Sequence, residues 1–152
     1  MDFVMLHGTT QTPACWQPLE SILRHRGHRT FAADLTGQDG WRAEDYAAEI
    51  RRQFPDADAP TIIAHSGAGL LAPAAAAELD ARHLVWIGAL IPDLTGTMSM
   101  MEELEDHGAE MFPPEWFEWS GADLLTEPAV SAYFLFHDCD LAQLRFALTT
   151  LR

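Results

Sequence analysis

The chain has no lysine and no asparagine, so its nine basic residues are all arginine. That excludes a lysine Schiff base, a P-loop lysine and a Cys-His-Asn triad. Cysteine is scarce: Cys15 and Cys139 stand far apart without metal-ligand spacing. A reduced pair is expected, with no disulfide framework and no zinc site. Long apolar runs are also missing. No stretch approaches the roughly 20 residues that span a bilayer, and no basic region precedes the apolar run Phe3 to Leu6. Membrane insertion and secretion are therefore not expected, and a cytoplasmic location is. Positive charge is outnumbered, with 23 acidic residues against nine basic and a net charge of −14. Every phosphate contact would start from an unfavourable field, which argues against nucleic acid as a partner.

What is there suits one soluble globular domain over residues 1–152, with 48% hydrophobic residues and no repeat or low-complexity tract. Phe3 to Leu6 reads as a buried strand opening at His7-Gly8 into a threonine-rich loop. Thr12-Pro13 starts a helix with Trp16, Leu19, Ile22 and Leu23 on one face, ended by Gly27. His28 to Leu35 is a second strand, Ala43 to Phe54 a helix with Tyr46, Ala47, Ile50 and Phe54 on one side, and Thr61 to His65 a third strand. Gly67 to Leu79 reads as an alanine-rich helix broken only by Pro73, and His83 to about Leu90 as the fourth strand. Strand and helix alternating at this spacing predict a parallel sheet of about four strands with flanking helices.

After Ile91 the alternation stops. Met98 to Met111 reads as a helix, Trp116 and Trp119 follow, Ala129 to Phe136 is apolar, and Asp138 or Asp140 caps a last helix. Residues 1–93 thus form a core and 94–152 a helical lid. The methionines and aromatics between 98 and 119 suit either an apolar pocket lining or simple packing on the sheet.

The run Ile62-Ile63-Ala64-His65-Ser66-Gly67-Ala68-Gly69 carries the chemistry. An apolar strand turns at a serine into a helix start made of small residues, the pattern of a nucleophile elbow. Such a turn projects the hydroxyl from the sheet end and aims the next backbone N–H at a developing oxyanion. The motif here is small-x-Ser-x-small rather than the strict G-x-S-x-G, and small-residue turns also occur without a catalytic role.

Taken with Leu6-His7-Gly8-Thr9, Cys15-Trp16, the run His83 to Asp93 and Phe136-His137-Asp138-Cys139, the order of elements resembles the α/β-hydrolase fold. It is most similar to small esterases of the hydroxynitrile lyase and plant methylesterase group. The resemblance implies Ser66 as nucleophile and the amides of Thr9 and Gly67 as oxyanion hole, with no metal or organic cofactor. The lyases of that group carry a threonine in place of Gly8 and need a lysine, so the resemblance favours ester chemistry over cyanohydrin cleavage.

In that family an acid and then a histidine follow on two further strands, and the order here stops within or just after the lid, which implies a partial α/β-hydrolase fold. Among residues present, His83 opens its strand, and about six strand residues span roughly 20 Å, which removes it from the serine. His7 and His65 suit loop orientation or packing beside the elbow, and His25 and His28 flank a turn and are expected to be solvated. His107 sits in the lid. His137 is the candidate base, though it also reads as a histidine capping or preceding the last helix; Asp93 at the end of the fourth strand, or Asp138, is the candidate acid, while Pro92-Asp93 is also a plain turn and Asp34 reads as structural. A fourth strand of Leu84-Val85-Trp86-Ile87 would form an apolar sheet edge, which predicts a homo-oligomer or a second chain pairing there. Three functions follow: a serine hydrolase acting on a small ester, a silent hydrolase-like module binding an apolar ligand, or a truncated gene product without activity of its own.

Overall fold

The computed structural model describes residues 1–93 and 127–152. Four strands, β1 (Asp2–Leu6), β2 (Arg29–Ala33), β3 (Thr61–His65) and β4 (His83–Ile87), form one parallel sheet in the order β2-β1-β3-β4. The register sets Leu6 beside Ala33 and Ala64, and His65 beside Ile87. All four carboxyl ends therefore open along the same side of the sheet, where open α/β folds bind ligands.

Alternating side chains of the central strands feed two layers. Val4, Leu6, Ile62 and Ala64 pack with Ile50 of α2 (Ala43–Gln53) and with Ala72, Ala75 and Leu79 of the segment around α3 (Ala72–Glu78). Met5 and Ile63 meet Trp16, Leu19 and Leu23 on the other face, beneath α1 (Gln17–His25). Helices α4 (Pro128–Phe134) and α5 (Leu141–Leu148) pack on each other. Asp140 caps α5 by accepting from the amides of Ala142 and Gln143 at 2.8 Å.

Proline corrects two expected helices. The segment after Thr12 is a 3-10 turn over Pro13–Trp16 followed by α1, and the segment after the elbow is a 3-10 turn over Ser66–Leu71 followed by α3. Pro18 and Pro73 each fall in the first turn of the α-helix. Proline is accommodated there and breaks a helix interior, so each α-helix begins one residue before its proline. Three other expectations shift. Ile22 is 52% exposed rather than on the buried face. β4 ends at Ile87 because Gly88 takes a positive φ of 48°. His28 is not simply solvated: its ring meets Phe3 edge-on at 5.3 Å and its Nδ1 is buried without a partner. His107, the expected helix over 98–111 and the aromatic cluster at 116–119 lie outside the described residues.

Candidate active site

β1 and β3 are neighbours, so the loops leaving them meet at one place. Ser66 follows β3 directly and holds φ at +55°, a left-handed conformation uncommon for a residue with a side chain. Strain of this kind costs on the order of 1–3 kcal/mol and persists only where the surroundings impose it. Here the surroundings do. The Ser66 carbonyl accepts from the Leu90 amide at 3.1 Å. Gly69, one turn on, packs so closely on the segment after β4 that an added Cβ would stand 2.1 Å from the Leu90 carbonyl oxygen.

The β1 loop closes on the elbow at Gly8. A Cβ at Gly8 would lie 3.0 Å from His65 Nδ1, 3.1 Å from Ser66 Cβ and 3.2 Å from Gln11 Oε1. Glycine is what lets the two backbones approach this far. A cavity of about 210 Å³ opens beside this contact, lined by His7, Gly8 and Thr9 from the β1 loop and by Gly67 and Ala68 from the elbow. Leu35, Tyr46, Leu70 and Leu71 make the wall mostly apolar, and Arg152 stands at its side. Thr9 and Gly67, the two residues expected to supply oxyanion amides, thus border one cavity. Gly67 lies in the first turn of a helix, where N–H groups have no intrahelical acceptor.

Neither histidine at the site is set up as a free base. His7 is 1% exposed, and its Nδ1–H donates to the Gly8 carbonyl at 2.9 Å while its Nε2 accepts from the Leu35 amide at 3.3 Å. The two partners together fix a neutral ring. Burial pushes its pKa down, against the pull of the Gly8 carbonyl. His65 Nδ1 meets Gln11 Oε1 at 3.1 Å, and burial lowers its pKa as well. The Cys15 thiol, packed against the cluster of Met5, Trp16 and Ile63, is pushed up to about 11 by burial, which removes it as a thiolate nucleophile at neutral pH.

His137 lies exposed in the turn between α4 and α5, and among the described residues no hydrogen bond joins it to Ser66. Asp93 follows β4, beyond Ile91 and Pro92, and is partly buried. Asp34 is structural, as expected: its carboxylate accepts from the Thr36 hydroxyl at 2.7 Å and the Thr36 amide at 2.9 Å. It also takes Arg152 at 3.1 Å, and the Thr36 hydroxyl first, then its amide and Arg152, outweigh burial to hold the carboxyl below its ordinary value. Gln11 and Arg152 are residues that sequence reasoning passed over. Both act through partners distant in sequence, so no local pattern signals them. Among the described residues no cluster of acidic, histidine or cysteine side chains could hold a metal.

A strained serine between a parallel strand and a helix, facing a glycine-containing loop from the adjacent strand, defines a class. The chain belongs to the alpha/beta hydrolase family, whose model matches residues 3–152. Among curated proteins it is similar to Methylesterase 9 of Arabidopsis thaliana, 29% identical over 114 residues, covering 66% of this chain and 44% of that protein. Methylesterase 8 of Arabidopsis thaliana is 25% identical over 148 residues, covering 89% of this chain and 53% of that protein. The chain thus spans about half the length of the curated relatives it matches. Among solved structures, polyneuridine aldehyde esterase superposes with a TM-score of 0.72 at 21% identity, over 99% of this chain and 68% of that one. These likenesses agree with the expected fold and with the resemblance to the plant methylesterase group.

Proposed function

We propose that this chain carries the nucleophile and oxyanion hole of a serine hydrolase of esterase type. Ser66 Oγ attacks the carbonyl carbon of a small ester, the C=O π pair moves to oxygen, and the amides of Thr9 and Gly67 receive that oxyanion. The base that takes the Ser66 proton passes it to the leaving oxygen as the C–O bond breaks and the alcohol departs; water, giving its proton to the same base, then attacks the acyl-serine, and that proton returns to Ser66 Oγ as the acid is released. Two donors aimed at the oxyanion contribute about 3–4 kcal/mol each to the transition state in comparable sites. The observation that carries the reading is the left-handed Ser66, held where the Thr9 and Gly67 segments border one cavity. The mostly apolar wall of Leu35, Leu70 and Leu71 suits a small uncharged acyl or alcohol group. The proton of Ser66 goes to a base from a second chain, or to His137 with Asp93 or Asp138 once the α4–α5 turn is brought over the elbow. Labelling with a fluorophosphonate, read by intact mass, tests this: one adduct is expected on the wild type and none on Ser66→Ala. An adduct that persists in the variant overturns the assignment.

A second reading is a silent hydrolase-like binding module, favoured by one observation: both imbedded imidazoles, His7 and His65, are already hydrogen-bonded and disfavour protonation. Hydrolysis of a short-chain aryl ester separates the two. A rate lost on Ser66→Ala supports the hydrolase, and equal background in both proteins supports the module.

A further inference from the structure

We propose that Gln11 is a positioning residue that clamps the oxyanion loop to the nucleophile's strand, an inference that rests on Ser66 being the nucleophile. Two hydrogen bonds of Gln11 itself and a strand bridge whose bonds its neighbours make meet at this residue. Its amide donates to the Gly8 carbonyl at 3.0 Å and closes the turn that carries Thr9. Its side-chain Oε1 accepts from Nδ1–H of His65, the residue before the nucleophile, at 3.1 Å. Its backbone pairs with Leu151 in an antiparallel bridge. That bridge is flanked by the Thr12 amide donating to the Thr150 carbonyl at 2.7 Å and the Arg152 amide donating to the Thr10 carbonyl at 3.1 Å.

An oxyanion donor contributes only if its direction is fixed before charge develops, because reorienting it during the reaction would cost what it gains. The loop from Gly8 to Thr12 belongs to no helix and to none of the four strands, and it begins with the most flexible residue type. Its order must therefore come from outside: the backbones of Thr10 and Thr12 tie it to Arg152 and Thr150, and the Gln11 side chain ties it to the nucleophile's strand. The three atoms nearest a Gly8 Cβ position are those of His65, Ser66 and Gln11. Clamp, loop and nucleophile are thus in direct contact, so a displaced Gln11 displaces Gly8 and the adjoining Thr9 amide. Among the described residues that line the cavity, neither Gln11 nor His65 appears. The Gln11 side chain is turned to His65, the residue before the nucleophile, and acts through the loop it holds.

The test compares wild type, Gln11→Ala and Gln11→Glu by two readouts. The first is amide hydrogen exchange over residues 8–12, which needs no activity. The second is the fluorophosphonate labelling rate of Ser66, separated into probe binding and covalent step. Gln11→Ala is expected to speed exchange in the loop and to slow the covalent step about 10- to 100-fold, the scale of a misplaced donor, with probe binding little changed. Gln11→Glu keeps an acceptor for His65 and is expected to restore both. Unchanged exchange in Gln11→Ala overturns the clamp, and faster exchange with an unchanged covalent step overturns its role in positioning. If Gln11→Ala unfolds the chain, Gln11→Met, of similar volume and without the acceptor, takes its place. A wild type that takes no label strikes the nucleophile reading instead, and the exchange data alone then uphold or overturn the clamp.

Discussion

Ile62 in β3 has no exposed surface, whereas Val85, Trp86 and Ile87 in the neighbouring β4 are 41%, 39% and 44% exposed. The two strands are hydrogen-bonded to each other in register and are similarly apolar in sequence. What differs is cover. β3 is flanked by β1 on one side and β4 on the other, with α2 and α3 over one face and the Trp16 cluster under the other. β4 has a strand on one side only among the described residues. Hydrophobicity along a strand therefore predicts that it belongs to a sheet, but not how many neighbours surround it.

Cutting into the centre should have the largest effect. Ile62→Ala removes a fully buried side chain and is expected to cost about 2–5 kcal/mol, measured as a lowered denaturation midpoint. Gly69→Ala strikes the seam between the two regions, where a Cβ would meet the Leu90 carbonyl oxygen and Ala89. Overpacking against backbone is expected to cost about 1–3 kcal/mol, and a crystal structure should show the segment after β4 pushed away from the elbow. A smaller effect separates the centre by pH. His7 and His65 terminate or adjoin β1 and β3 and are held below the ordinary imidazole value of 6.5. Below that value the unfolded chain binds protons that the folded one resists, so stability is complete above it and falls as the solution is acidified towards the folded pKa values. Urea midpoints measured from pH 7 to pH 5 should decline, and less steeply in His65→Gln. The edge should respond least: Val85→Thr is expected to change stability by under about 1 kcal/mol. A loss as large as that of Ile62→Ala would abolish the contrast.

The sheet and its order were legible because each central strand announces itself by an uninterrupted apolar run, as Thr61 to His65 does with the observed bounds. The tight turn at Ser66 was legible because it is local, written in consecutive small residues. Helix starts were read less well: single helices were expected from Pro13 and from Gly67, and the chain instead makes a 3-10 turn first and enters the α-helix at Gln17 and Ala72. Gln11 carried no signal at all. Its partners are His65 and Leu151, and a contact across that much chain leaves no mark on its neighbours in sequence.

The bridge between Gln11 and Leu151 also has a meaning in time. Joining residues near opposite ends of the described chain closes a very large loop, an entropic cost that rises slowly with length but delays formation during folding. The four described strands all lie in sequence before Gly88. On a ribosome the elbow could therefore form while Thr150 and Leu151 are still unmade, and the loop beside it would wait for them. The nascent protein would be folded at its centre before its site is ordered, so synthesis itself would time the appearance of the site.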